Sequence, residues 1–121
     1  MSANETRDLI ELAVNRTLDE LPALRKLKLV FQLELRGRGD VQLYRVELPG
    51  PKIEKGVAEH AKIILGVTRP HFNQLAEKGN TGMWREAFVA GHAHAAGSPQ
   101  MLKLLQEVVE RHDRRSAARR G

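Results

Sequence analysis

The sequence predicts an α+β fold, in which a five-stranded, mostly antiparallel sheet carries helices on one face. Four segments with alternating apolar residues follow one another after residue 28, helical spacing dominates from residue 68, and one more short alternating segment precedes the last helix. Consecutive strands joined by turns, with helices clustered late, indicate helices packed on one face of such a sheet. The 121 residues are 41% hydrophobic and 29% charged, which is ordinary for a globular domain with a single core.

The chain is predicted to open with an amphipathic helix. Ser2 and Glu5 have the spacing of a capping box, in which a hydroxyl and a carboxylate accept from free backbone donors. The stripe that follows has helical spacing and consists of Ile10, Ala13, Val14, Thr17, Leu18 and Leu21. Pro22 should end or bend this helix, because proline cannot donate a backbone hydrogen bond.

Four strands are predicted next, over residues 29–35, 41–48, 52–57 and 61–67. The first two form a hairpin, since the intervening Gly-Arg-Gly-Asp sequence at 37–40 is typical of a turn. The apolar phase changes within the second strand, which predicts either a bulge or burial of both faces. Its apolar residues are Val41 and Leu43, followed by Tyr44, Val46 and Leu48.

Three helices and a short strand are predicted for the remainder. Thr68 is expected to cap the first of these helices, with Pro70 in its first turn, and a second helix is expected to start at Thr81. The strand covers residues 92–96, and Pro99 opens a C-terminal helix. The apolar stripes of the three helices are Phe72, Leu75 and Ala76; Trp84, Ala87 and Phe88; and Met101, Leu104, Leu105, Val108 and His112.

The net charge of +5 is concentrated at the C-terminus. Residues 111–121 contain five arginines and one aspartate and contribute +4, which leaves +1 for residues 1–110. We therefore expect a folded domain over residues 1–110 and a basic, disordered tail over residues 111–121. The tail suits an anionic membrane surface, with solubility alone as the alternative, and its basic residues are Arg111, Arg114, Arg115, Arg119 and Arg120. Nucleic acid is disfavoured, because only 4% of residues are aromatic and those lie in apolar stripes.

Several function classes lack support in the sequence. The chain has no cysteine, which excludes disulfides and thiolate chemistry. No nucleophile–base set and no glycine-rich phosphate loop is evident, so we predict no catalytic residues and no cofactor. The N-terminus has no secretory signal, and no apolar run approaches the roughly 20 residues of a membrane span. We expect a soluble, cytoplasmic protein.

His92 and His94 are the one pattern that suggests a metal. Two residues apart on a strand, both imidazoles would leave the same face, as zinc ligands can. A third ligand would be required, and His60, His71 and His112 are candidates by residue type alone. The alternative is a solvent-facing pair on the outer side of the sheet, and on that basis no metal site is predicted.

The segment from residue 61 to 105 resembles a known family. It runs AKIILGV, TRPHFNQLAEKG, MWREAFVAG, HAHAAGS and PQMLKLLQEV. The Ala87-Phe88-x-x-Gly91 motif and the later Gly97 resemble the pattern of the sterol carrier protein type-2 domain, the non-specific lipid-transfer family. The upstream LVFQLELRG and VQLYRVELPG resemble that family's first hairpin, so the resemblance covers about three-quarters of the chain.

The resemblance implies an apolar cavity between the sheet and the helices, walled in part by the C-terminal helix. Family members bind fatty acids, acyl-CoAs, sterols or other lipids, others serve as accessory factors in quinone biosynthesis, and the domain is normally not an enzyme. This chain departs from the pattern at its fifth strand, where Ala93 and Ala95 occupy inward positions that are commonly large and apolar. The gap is either closed by repacking or belongs to a ligand cavity.

Two functions remain open on this basis. The first is non-enzymatic binding and transfer of a fatty acyl, sterol or isoprenoid lipid, by a sterol-carrier-like domain over residues 1–110. The second is an accessory or interaction subunit of lipid or quinone metabolism, which docks a partner enzyme and holds no permanent ligand. Candidate lipid contacts, which would otherwise be plain core, are Phe72, Leu75, Met83, Trp84, Phe88, Met101, Leu104 and Leu105.

Overall fold

The computed structural model describes the backbone of residues 3–120 and the side chains of residues 5–115. The predicted order of elements is confirmed, with β3 shorter at its end and β4 starting later than expected. Ser2 of the expected capping box lies outside the described residues. The elements are α1 (Ala3–Glu20), a 3-10 turn (Pro22–Lys26), β1 (Leu29–Arg36), β2 (Val41–Leu48), β3 (Lys52–Lys55), β4 (Ile63–Thr68), α2 (Arg69–Lys78), α3 (Thr81–Ala90), β5 (Ala93–Gly97) and α4 (Pro99–Arg120).

The five strands form one mixed sheet in the order β3-β2-β1-β4-β5. The β1–β4 pair is parallel and the other three pairs are antiparallel, so the predicted mostly antiparallel sheet is confirmed. The parallel pair requires the chain to cross the sheet between β3 and β4. This crossing runs over the outer face, where the Ala58 backbone N–H donates to Gln32 Oε1 at 3.2 Å.

The change of apolar phase in β2 reflects burial on two faces rather than a bulge. Pairing with β1 is continuous from Leu29↔Leu48 to Arg36↔Val41. Tyr44 and Val46 point inward and are almost fully buried, as is Leu48 at 7% exposure, whereas Leu43 is half-buried on the outer face.

Thr68 does not cap α2 through its side chain as the sequence predicts. Thr68 occupies the N-cap position of α2, but its hydroxyl lies 2.8 Å from Nδ1 of His71 and makes no side-chain cap bond. Asn80 caps α3, because its side chain accepts from the Met83 backbone N–H at 2.9 Å. Gly91 ends α3 in the left-handed conformation at φ 84°, which glycine adopts without strain.

The four helices are not equally well packed. α1 and α2 supply fully buried side chains to the core, including Ile10, Leu18 and Phe72. None of the described side chains of α4, residues 99–115, is fully buried. The C-terminal helix is therefore the most loosely held layer of the fold.

α4 also crosses the boundary that the charge pattern predicts at residue 110. The helix continues through Arg111, Arg114 and Arg115 and ends at Arg120, so the expectation of a disordered tail is corrected for the backbone up to that residue. Residues 114–120 consist of arginine and alanine apart from one serine, and the high helix propensity of arginine and alanine accounts for this. The side chains of Arg119 and Arg120 lie outside the described part of the chain. No helix among the described residues is long and apolar enough to cross a membrane.

Candidate ligand cavity

A cavity of about 690 Å³ lies between the inner face of the sheet and the helices. Its floor consists of inward side chains from four strands, because alternate residues of a strand share one face. These are Leu29, Phe31 and Leu33 of β1, Leu48 of β2, Ile63 and Leu65 of β4, and Ala95 of β5. Its walls come from all four helices, with Ile10, Val14, Leu18, Phe72, Leu75, Trp84, Phe88, Leu102, Leu105 and Val109 among the lining residues.

Polar groups on the cavity wall concentrate where α1 ends and α3 begins. The Glu20 carboxylate accepts from the Thr81 backbone N–H at 2.9 and 3.2 Å and from the Thr81 hydroxyl at 2.6 Å. Nε2 of His112 lies 3.3 Å from Glu20 Oε1. A carboxylate at a helix N-terminus satisfies free donors and complements the helix dipole. Glu20 is therefore engaged in joining α1, α3 and α4.

A second polar contact joins α3 to α4 beside the cavity. The guanidinium of Arg85, a lining residue, forms an ion pair with the Asp113 carboxylate. The two side chains are 52% and 36% exposed, so this pair lies at the surface of the seam between the helices. Together with the Glu20 contacts, it accounts for much of the charge along the wall, and the remaining lining is chiefly apolar.

The structure brings five of the eight candidate lipid contacts together on the cavity wall, namely Phe72, Leu75, Trp84, Phe88 and Leu105. Phe72 and Leu75 are buried, whereas Phe88 is 41% exposed.

The other three candidates lie elsewhere. Met83 lines a separate cavity of about 260 Å³, next to His71 and His92. Met101 and Leu104 are outside the wall, because α4 turns the stripe of Leu102, Leu105 and Val109 toward the ligand space. The sequence of α4 has apolar residues over a broad arc, so helical spacing alone does not fix which edge faces inward.

Sequence reasoning did not assign the lining residues of α1, β1 and β4 to a site. The sequence does indicate that these residues face inward, since each lies on an apolar stripe of helical or alternating period. The stripes identified them as inward-facing but did not separate closely packed core from cavity wall. Ala93 and Ala95 illustrate the distinction: Ala93 is 1% exposed in the core, whereas Ala95 is on the cavity wall.

His92 and His94, at the start of β5, lie in different surroundings and do not form one site. His92 precedes the strand and stacks on His71, with ring centroids 3.6 Å apart and planes at 13°. His94 is exposed on the outer face. Stacked imidazoles turn their faces rather than their nitrogens toward one another. In the range that the structure describes, no three His, Cys, Asp or Glu side chains are grouped to hold a metal ion.

No protein-family model and no curated protein matches the chain. Solved structures do match it. The crystal structure of sterol carrier protein 2-like 2 from Aedes aegypti is 23% identical, with a TM-score of 0.59, and the match covers 85% of this chain and 98% of that one. The solution structure of the same protein in its palmitated form is 23% identical, with a TM-score of 0.57, over 83% and 93% of the two chains.

This chain has the sterol carrier protein 2 fold. The same fold relates it to the ubiquinone synthesis protein UbiJ-SCP2, at 12% identity and a TM-score of 0.56 over 91% of this chain and 89% of that chain. A sec-alkylsulfatase from Pseudomonas also matches, at 16% identity and a TM-score of 0.50, but only 14% of the enzyme chain is covered. The likeness to the sulfatase therefore concerns one part of a larger protein.

Proposed function

We propose that this protein binds a fatty acyl, sterol or isoprenoid lipid in the 690 Å³ cavity without covalent chemistry and exchanges it with membranes. The observation that carries the proposal is the cavity itself, which lies between a sheet and four helices and has a chiefly apolar wall. Its volume lies within the range of roughly 300–1,000 Å³ that is usual for small-molecule sites. The palmitated state of a structural neighbour supports an acyl chain as one occupant.

Burial of hydrocarbon would supply the affinity. Each buried methylene contributes about 0.8 kcal/mol, so ten of them contribute about 8 kcal/mol before the cost of association. The proposed contacts are Phe72, Leu75, Trp84, Phe88 and Leu105, which line the cavity. The last lining residue is Glu110, which supports residues 1–110 as the ligand-binding domain.

Trp84 permits a direct test, because it is the single tryptophan of the chain and lies on the cavity wall. Titration with a brominated fatty acid is expected to quench its fluorescence, since bromine quenches indole at contact. An unbrominated fatty acid of equal length is the control and should leave the emission unquenched. Organic extraction of the purified protein followed by mass spectrometry should recover lipid. Absence of lipid together with absence of quenching would refute the proposal.

A matched pair of variants connects binding to this cavity. Leu105→Asp places a carboxylate on the wall and is expected to abolish quenching, because a charge in an apolar site is costly. Leu12→Asp alters a leucine of α1 that is 39% exposed and off the wall, and it should bind as wild type does. Equal binding by both variants would place the ligand elsewhere.

The basic residues of α4 are proposed to bring the domain to anionic membranes. Arg111, Arg114 and Arg115 are exposed, and a basic residue near such a surface contributes roughly 1 kcal/mol. Replacement of these three by glutamine should reduce co-sedimentation with phosphatidylglycerol vesicles and leave binding to the fatty acid unchanged. Equal sedimentation of the variant and the wild type would contradict this role.

The second candidate is an accessory subunit, and the likeness to UbiJ-SCP2 favours it. In that case the protein would purify with a partner enzyme and its cavity would contain no lipid. Affinity purification from the native host, with lipid analysis of the same sample, separates the two functions.

A further inference from the structure

α4 from Gln106 onward forms one side of the cavity, and its apolar side chains Val108 and Val109 are only partly buried where they pack against the core. Gln106, Val109 and Glu110 line the cavity from α4, opposite Arg85 and Phe88 on α3. All the described side chains of α4 are half-buried or exposed, so no fully buried apolar group holds this helix in place.

The two ends of α4 are secured differently. At its start, the Ser98 backbone N–H donates to the Lys62 carbonyl at 2.9 Å, and the Ser98 hydroxyl lies 3.4 Å from the Met101 backbone nitrogen. This end is tied to the sheet by the main chain. Beyond residue 110, two side chains of α4 make polar contacts with other elements in the described part of the chain, and these are His112 and Asp113.

These two consecutive residues reach opposite neighbours. His112 contacts Glu20 at the end of α1, with 3.3 Å between Nε2 and Oε1, while Asp113 pairs with Arg85 of α3. Glu20 is anchored in turn by the first residue of α3, Thr81, through its N–H and hydroxyl. His112 and Asp113 therefore contact both sides of the cavity, from the helical turn that follows the last lining residue.

We propose that α4 from Gln106 onward is a lid, that His112 and Asp113 form its clasp, and that ligand entry and exit require the clasp to open. This inference rests on the proposed lipid-binding function. Each contact is partly exposed and hence weak, which allows a lid to open repeatedly while the rest of the fold stays intact.

A charge-swap cycle tests the Arg85–Asp113 half of the clasp. Arg85→Asp and Asp113→Arg each place two like charges together, and each should raise the rate at which brominated fatty acid leaves Trp84 by about 2- to 5-fold, which corresponds to the free energy of an exposed pair. The double variant restores opposite charges and should return the rate to that of wild type. Additive acceleration in the double variant would overturn the clasp.

A reversible lock tests the lid itself. The chain has no cysteine, so Arg85→Cys combined with Asp113→Cys introduces the two thiols of the protein, and a cleavable bis-maleimide can join them. The linked protein should take up and release brominated fatty acid at least 10-fold more slowly, and cleavage of the linker should restore the rate. The double-cysteine protein blocked with a monofunctional maleimide is the control. Unchanged rates in the linked protein would overturn the proposal.

The outcomes distinguish failure of the lid proposal from failure of the proposed lipid binding. If wild type shows no quenching of Trp84 at equilibrium, lipid binding itself fails. If wild type binds and the lock and swap leave its kinetics unchanged, lipid binding stands and the lid is wrong.

Discussion

Ala93 and Ala95 provide the sharpest comparison that this structure offers, because they occupy the same face of β5 in different surroundings. Ala93 is 1% exposed within the core, and Ala95 lines the cavity. Replacement by leucine adds three carbon groups at each position. Where those groups enter close-packed space they force neighbours to move, and where they enter an open cavity they gain apolar contact.

The two leucine substitutions are expected to affect the free energy of unfolding differently. Three carbon groups contribute at most about 2.4 kcal/mol when fully buried, at about 0.8 kcal/mol each. Ala95 is exposed on one side, so Ala95→Leu should raise the free energy of unfolding by about 1 kcal/mol or leave it unchanged. Overpacking of a filled core usually costs about 1–3 kcal/mol, and Ala93→Leu should lower the free energy of unfolding by that amount.

Urea denaturation of the two variants measures this difference, provided that the slopes agree with wild type. Ala95→Leu should also weaken quenching of Trp84 by a long brominated fatty acid more than by a short one, because the added side chain takes space from the cavity. Equal destabilisation by the two substitutions would refute the reasoning, since it would show that Ala95 faces filled space.

Two further predictions concern stability. Glu20→Ala removes the acceptor for the N–H and hydroxyl of Thr81 and should lower the free energy of unfolding, measured by urea denaturation, by about 1–2 kcal/mol. The control Asp19→Ala breaks an exposed ion pair and should lower it by less than about 1 kcal/mol. Equal losses in the two variants would contradict the bridging role of Glu20. Gly97→Ala should cost about 3 kcal/mol or more in thermal unfolding, because φ is +135° and a Cβ would lie 2.2 Å from a carbonyl oxygen. Gly66→Ala is the control, with its nearest neighbours at 3.6 Å, and similar melting temperatures for the two variants would show this strain to be absent.

The order of helices and strands followed from the sequence because each element has its own local signal. Alternation in residues 29–35 and helical spacing around Trp84 arise from the backbone geometry of single segments. The turn between the first two strands was equally local, since Gly37 donates to the Asp40 carbonyl at 3.0 Å and Gly39 has φ of 75°. The helix over Arg111 to Arg120 differs from the disorder that the charge pattern predicts, because arginine favours helices even where charge is dense.

The candidate site was predictable in part. Phe72, Leu75 and Trp84 lie on narrow apolar stripes, and a narrow stripe has one way to face inward. The apolar arc of α4 is wide, and the structure turns Leu102 rather than Leu104 toward the cavity. The rotation of the helix is set by the packing of several segments together.

The sequence by itself therefore determined the order of the elements, most of the residues that face inward, and that small side chains stand at two inward positions of β5. Only the tertiary structure decided that β1 pairs with β4 in parallel, that the room beside Ala95 is a cavity, and that Glu20 meets both Thr81 and His112. The physical reason is range: periodicity reports the geometry of neighbouring residues, whereas volume and side-chain pairing depend on groups that are distant in the chain and meet only after folding.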